Sequence, residues 1–138
     1  MSPNPFTFTR LSSKLVLITW LKTPDNQAEE AYLHQLGEML DQAEHPLYFI
    51  SDIRKGRIIG IRAIQKLSAF TSHKNWAGST AFSKDPVSRI MLNSFKTLSA
   101  KSNSRNEMHT TPEEAINFIE TLETGVTQDI DWDAVFVK

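Results

Sequence analysis

The residue types that carry out catalysis are present in this chain, but their spacing matches no catalytic motif. Its four histidines, His34, His45, His73 and His109, form neither an HxH nor an HExxH pattern, so the sequence indicates no zinc site. Cysteine is absent, which excludes thiolate nucleophiles, disulfides and thiolate metal ligands. The glycines do not form a phosphate-binding loop, and no GxSxG elbow accompanies the serines. We therefore predict no catalytic residues, no metal, no cofactor and no enzymatic activity.

The segment Arg54-Lys55-Gly56-Arg57 is the strongest candidate for a binding site. It follows an apolar run that ends at Asp52, and a helix is predicted after it. Ligands of α/β sheets bind at the carboxyl ends of strands, and a helix N-terminus there favours an anion. Asp52 is expected to hold one of the two arginines in position. The alternative is a solvated ion pair in a loop, worth about 1 kcal/mol or less.

A small-ligand site is the second interpretation of the same region. It places an anionic or apolar-tailed molecule near Arg54, Arg57 and Trp76. The predicted domain is small, which leaves little volume for a deep apolar cavity. A third interpretation, an enzyme whose catalytic residues are dispersed along the chain, is the least favoured.

Charge is strongly segregated along the chain, although its net value is only -1. Residues 53–106 contain eleven basic side chains and a single acid, Asp85, whereas residues 107–138 contain eight acids and a single base, Lys138. Such asymmetry indicates either a surface that binds anions or acidic and basic helices that lie side by side. Nucleic acid is not the expected partner, because the isoelectric point is near 6.4 and exposed aromatics do not alternate with the cations.

The C-terminal segment 126–138 alternates acids with large apolar residues. Ile130, Trp132 and Phe136 would not normally be left in water together. We expect this tail to dock, either on this domain's own surface as an edge strand or on a partner or second copy.

Hydrophobic periodicity predicts an alternation of strands and helices behind these features. Apolar or alternating runs favour strands at 6–10, 15–20, 47–53, 76–82 and 107–109. Helical spacing favours helices that begin near residues 26, 61, 86 and 112. The short connection at 12–14 makes the first two strands an antiparallel hairpin. The order ββ-α-β-α-β-α-β-α predicts an α/β fold, a mixed sheet of four or five strands, later strands mostly parallel, with about four helices.

Caps and inner faces of the helices follow from local sequence. Thr111 and Glu114 form a capping box, which explains Glu113 and Glu114 better than acid–base chemistry does. His45 is expected to cap the end of the first helix. The second helix is expected to bury Ile61, Ile64 and Leu67, and the third to bury Val87, Ile90, Met91, Ser94, Phe95 and Leu98.

Length and composition fit one domain spanning 1–138, with a core at about 5–122 and the docking tail beyond it. The N-terminus shows no signal peptide, and no apolar run approaches the ~20 residues that span a bilayer. The expected location is the cytoplasm.

Three features together resemble the SpoIIAA-like group of the STAS/SEC14 superfamily. They are the hairpin ending in Leu15–Trp20, the step from His45-Pro46 into Leu47–Asp52, and the closing helix that begins Thr111-Pro112-Glu113-Glu114-Ala115. The likeness covers roughly residues 5–122. It implies a mixed sheet of four or five strands with helices and a regulatory or binding role. We expect a protein partner or a homodimer, with the surface around residues 52–60 as the binding surface.

The connector that follows the third predicted strand, residues 53–60, departs from the family pattern at one position. In the anti-sigma-factor antagonists of this superfamily, a phosphorylated serine begins the helix after the central strand. The matching segment here, residues 53–60, contains no serine or threonine, and Ser51 lies within the strand. The resemblance implies a non-enzymatic regulatory or protein-interaction domain, and this departure argues against a phosphorylation switch of that type.

Overall fold

Five strands form one mixed sheet in the computed structural model, which describes residues 5–57, 60–86, 90 and 105–136. They are β1 (Phe6–Arg10), β2 (Leu15–Trp20), β3 (Leu47–Asp52), β4 (Trp76–Phe82) and β5 (Asn106–His109). Their spatial order follows the chain. β1 and β2 are antiparallel, and β2 to β5 run parallel to one another. The predicted hairpin and mixed sheet are confirmed.

Helices cover both faces of the sheet. They are α1 (Asn26–Gln42), α2 (Ile61–Phe70), α3 (Pro112–Leu122) and the single turn α4 (Trp132–Val135). The side chains of α1 and α2 pack with one face of the sheet, and those of α3 and α4 with the other. β3 is buried between these layers, which explains its nearly continuous apolar sequence.

Side chains cap both ends of α1, one from the adjacent sequence and one from a distant loop. Asp25 caps α1 by accepting from the backbone N–H of Ala28 at 2.8 Å. His45 does not cap the other end of α1, because its ring nitrogen lies against the carbonyl of Pro46. The buried Asn75 does so instead: its Nδ2 donates to the carbonyl oxygens of Leu40 and Ala43. That cap comes from more than thirty residues away, so no local pattern predicts it.

Two predictions about buried helix faces need correction. Ile61 is 61% exposed, and α2 instead buries Ala63 and Ile64 with Leu67 partly buried. The predicted helix after Pro86 lies mostly outside the described residues, and so do its expected inner residues Val87, Met91, Ser94, Phe95 and Leu98. Ile90 is described, and it is 64% exposed, not buried.

The capping box at α3 forms with a shifted partner. The Thr111 hydroxyl oxygen accepts from the Glu114 N–H at 3.2 Å, as predicted. The Glu114 carboxylate accepts from the backbone N–H and the hydroxyl of Thr110, one residue before the cap. These hydrogen bonds lower the pKa of Glu114, which supports the capping role and not acid–base chemistry.

Candidate functional site

Asp52 and Arg54 form a fixed pair at the carboxyl end of β3. The Asp52 carboxylate accepts from the Arg54 backbone N–H at 3.1 Å, from Nε at 2.9 Å and from Nη2 at 2.8 Å. Asp52 is buried, whereas half of the Arg54 side chain is exposed. The hydrogen bonds from the guanidinium raise the pKa of Arg54 above its ordinary value. The arginine that Asp52 was expected to hold is therefore Arg54.

An aromatic ring also contacts the Arg54 guanidinium. The Cζ atom of Arg54 lies 5.1 Å from the centre of the Phe82 ring, a cation–π distance. Phe82 ends β4 beside Asp52 and is fully buried. Arg54 is thus pre-oriented by two groups on neighbouring strands while its outer half faces solvent.

The rest of the connector is anchored to two other loops. Arg57 Nη1 donates to the Asp85 carboxylate at 2.9 Å, which joins the connector to the loop after β4. Gly56 packs so closely on the β2–α1 loop that a Cβ atom would lie 2.2 Å from the carbonyl carbon of Lys22. Lys55 is exposed. Residues 52–57 are therefore anchored at Asp52, Gly56 and Arg57, while Lys55 and half of the Arg54 side chain face solvent.

An open groove of about 610 Å³ lies beside Arg54. It is formed by the loops at the carboxyl ends of β3, β4 and β5 and by the end of the tail. Its lining residues are Arg54, Ser83, Lys84, Asp85, Thr110, Thr111, Pro112, Glu113 and Phe136. Parallel α/β sheets place ligand sites at this edge. The sequence prediction found the β3 contribution and missed the β4 and β5 loops, although each is a polar segment that follows a strand.

The hydroxyl groups along this groove already have structural partners. Ser83 is buried, and its oxygen accepts from the Asp85 N–H at 3.1 Å. Thr110 donates to Glu114, and Thr111 caps α3. These contacts shape the groove by holding its loops against the sheet.

Trp76 is not near the connector. It begins β4 opposite Leu47, at the start of β3, whereas Asp52 at the end of β3 lies opposite Phe82. Five residues of strand, roughly 17 Å, separate the two positions. Trp76 stacks on Phe49 with ring centroids 4.8 Å apart, and its Nε1 donates to Asn106. A single small ligand contacting Arg54, Arg57 and Trp76 does not fit this arrangement.

The tail packs on this domain's own surface, on the α3 side of the sheet. Ile130, Trp132 and Phe136 are partly buried against the apolar cluster of that face. Trp132 Nε1 donates to the carbonyl oxygen of Thr127 at 3.1 Å, and its ring stacks on Phe136. The tail forms the turn α4 and not the expected edge strand.

Other kinds of site find little support in the part of the chain that the structure describes. The apolar cavity bordered by Ile18, Phe49 and Met108 measures about 50 Å³. No group of three or more His, Asp or Glu side chains is placed to hold a metal ion within the described ranges. Over the same ranges, no helix is long and apolar enough to cross a membrane.

Comparison with known proteins gives a match in fold to a solved structure. No family model matches the chain, and no curated protein does. A structure of the anti-sigma factor antagonist SpoIIAA in its unphosphorylated form matches with a TM-score of 0.55 at 17% identity. The match covers 84% of this chain and 96% of that chain. The chain has the SpoIIAA fold. The fold expected from the sequence resemblance is confirmed, and at this identity the likeness extends to the fold alone.

Proposed function

We propose that this chain is a regulatory domain without enzymatic activity, which binds a protein partner at the carboxyl edge of its sheet. The binding surface consists of the connector 52–57 and the groove beside it. The observation that supports this most directly is Arg54, held by Asp52 and Phe82 yet half exposed. An arginine fixed in advance loses little side-chain entropy on binding, and arginine is enriched among residues that dominate interface energies.

The fold supports the same conclusion from another direction. SpoIIAA is named as an anti-sigma factor antagonist, and a protein so named acts on another protein. A shared fold does not by itself show a shared function. The support for this function therefore comes from the groove, and the fold is consistent with it.

The charges at the groove favour a protein surface over a polyanion. Lys84 and the exposed part of Arg54 supply positive charge, whereas Asp85 and Glu113 supply negative charge. Nucleic acids are bound by surfaces of one sign that contact successive phosphates. A surface of mixed sign suits a partner with complementary charges of both signs.

A small anionic ligand is the second candidate, because the groove volume falls in the range of ligand pockets. Arg54 and Lys84 would contact its charge. The apolar-tailed version of that ligand is not supported, since the apolar cavity of about 50 Å³ is far below the ~300 Å³ of a typical pocket.

The two candidates are separated by one pair of variants. R54A/K84A removes both groove cations, and K74A, the control, removes an exposed lysine just before β4, at the other end of that strand from Lys84. Affinity capture with quantitative mass spectrometry should recover a protein with the wild-type chain and with K74A, and not with R54A/K84A. Identical recovery with all three chains would contradict the proposed site.

A thermal-shift screen of phosphates, nucleotides and fatty acids tests the second candidate. A ligand of the native state raises the melting temperature by mass action. We expect no saturable shift. A shift that is present in K74A and lost in R54A/K84A would replace the protein partner by a small anion.

A further inference from the structure

The outer edge of β1 is regular, and its charge is confined to Arg10 at the end of the strand. Among the described residues, β2 is the strand that pairs with β1, and their register contains no bulge. Phe6 to Thr9 contain no charge and no proline, the usual devices that keep an edge from pairing. The Arg10 guanidinium is held by the turn that follows β1, since it donates to the carbonyl oxygens of Ser12 and Ser13.

The backbone hydrogen bonds between β1 and β2 show which backbone groups of β1 point away from the sheet. The N–H of Leu21 donates to the carbonyl of Pro5, and the N–H of Leu11 donates to the carbonyl of Leu15. Odd-numbered residues of β1 therefore direct their backbone groups toward β2, because hydrogen-bonded pairs alternate along an antiparallel ladder. The N–H and C=O groups of Phe6, Phe8 and Arg10 point away from the sheet.

These outward groups are self-complementary about Phe8. Phe8 is the middle residue of the strand, so a second copy running antiparallel places Phe8 opposite Phe8 and Phe6 opposite Arg10. Every outward N–H and C=O group of the strand then finds a partner. A shift to any other register leaves some of them unpaired.

The side chains fit the same register. Phe8 is half-buried and stacks on Tyr32 with ring centroids 5.7 Å apart. Two Phe8 residues whose Cα atoms lie about 5.5 Å apart would form a cross-strand aromatic pair. On the other face, the exposed Thr7 lies opposite the exposed Thr9 of the second copy, and threonine pairs are favourable there. No like charges meet along the strand.

We propose that two copies of this chain pair through β1 as antiparallel strands centred on Phe8, so that the two sheets become one continuous sheet. This inference does not rest on the proposed partner site, which lies at the carboxyl ends of β3, β4 and β5.

The test uses exposed positions that leave the monomer fold intact. T7K/T9K places a lysine directly opposite a lysine at both symmetry-related positions. T7K/T9E, the matched control, carries the same first substitution but places lysine opposite glutamate. Sedimentation equilibrium of the full chain should give a dimer for wild type, dimerisation weakened roughly tenfold for T7K/T9K, and near wild-type dimerisation for T7K/T9E.

Mixing two charged variants tests whether dimerisation depends on this register or only on the charge of each chain. T7K/T9K and T7E/T9E should each dimerise weakly alone and form a mixed dimer together, because every threonine site then pairs opposite charges. A wild-type chain that stays monomeric overturns the proposal, as does equal dimerisation of T7K/T9K and T7K/T9E. R54A/K84A should remain dimeric, so failure of the partner site and failure of the dimer are separate results.

Discussion

Phe136 meets Phe82 edge-on, with ring centroids 5.5 Å apart and ring planes at 87°. Phe82 is fully buried, and Arg54 of the connector contacts the same ring. The tail and the candidate binding surface therefore share one core side chain. This relationship makes the tail part of the structure that positions Arg54.

Phe136→Ala should destabilise the fold and loosen the groove. The half-buried ring loses its contacts with Phe82 and Trp132, which should lower the free energy of unfolding by about 1–3 kcal/mol. Urea unfolding measures this change, with Thr124→Ala, an exposed position in the turn after α3, as the control. Deleting residues 126–138 should lower the melting temperature further. A truncated chain with an unchanged melting temperature would show that the tail does not dock.

The strands were predictable because each is specified by its own sequence. Leu47–Asp52 is apolar on both faces because helices cover both faces of the sheet, and Leu15–Trp20 has the same burial pattern. The tail was not predictable in form, although its need to be buried was. Alternating acids and apolar groups suit a strand, but stacking of Trp132 on Phe136 at i and i+4 suits the helical turn that forms.

Gly56→Ala should be strongly destabilising or should displace the connector. The added Cβ would lie 2.2 Å from the Lys22 carbonyl carbon and 2.6 Å from the Thr23 nitrogen, both backbone atoms with little freedom to move. We expect a loss of about 2–3 kcal/mol or more in the free energy of unfolding, measured in urea.

Gly37→Ala is the matched control for that substitution. Its Cβ would lie 3.4 Å from the Phe70 ring, and an alanine within α1 is favoured over glycine by about 1 kcal/mol. It should be neutral or stabilising. Equal stability of the two variants would mean that the close approach at Gly56 is not a constraint.

The candidate site was only partly predictable because it is assembled from three loops. The connector could be found, since it directly follows a buried strand. The loops holding Lys84 and Thr110 join it only through the parallel order of β3, β4 and β5, which no local pattern specifies. The grouping of Arg54 with Trp76 was wrong for a related reason: the two residues lie at opposite ends of adjacent strands.

Asn75→Ala should cost about 1–3 kcal/mol, because it removes the side-chain donor to the Leu40 and Ala43 carbonyl oxygens at the end of α1. Asn75→Asp keeps the size of the side chain but points a carboxylate at the same carbonyls, so it should be at least as destabilising. Thermal unfolding measures both, with the exposed Ser72→Ala as the control in the same turn. A well-tolerated Asn75→Asp would contradict this assignment of the cap.

Glu120 should make the stability of the chain depend on acid pH through the turn that leads into the tail. Its carboxylate accepts from the hydroxyl and backbone N–H of Thr127 and from the N–H of Gly125, a residue at φ 95°. These bonds, the Thr127 hydroxyl first, lower the pKa of Glu120 from 4.5 to about 2. Because the folded pKa lies below the unfolded value, the stabilisation is present above pH ~4.5 and is lost as the pH falls toward 2.

E120Q isolates this contribution from the other carboxylates. It should be less stable than wild type at pH ~6, and the difference should shrink as the pH approaches ~2.5, because the wild-type carboxyl group then becomes protonated. T127V, which removes the hydroxyl donor, should show a weaker form of the same behaviour. Urea unfolding at several pH values measures all three chains. A difference between E120Q and wild type that stays constant with pH would show that the Glu120 charge does not hold the turn.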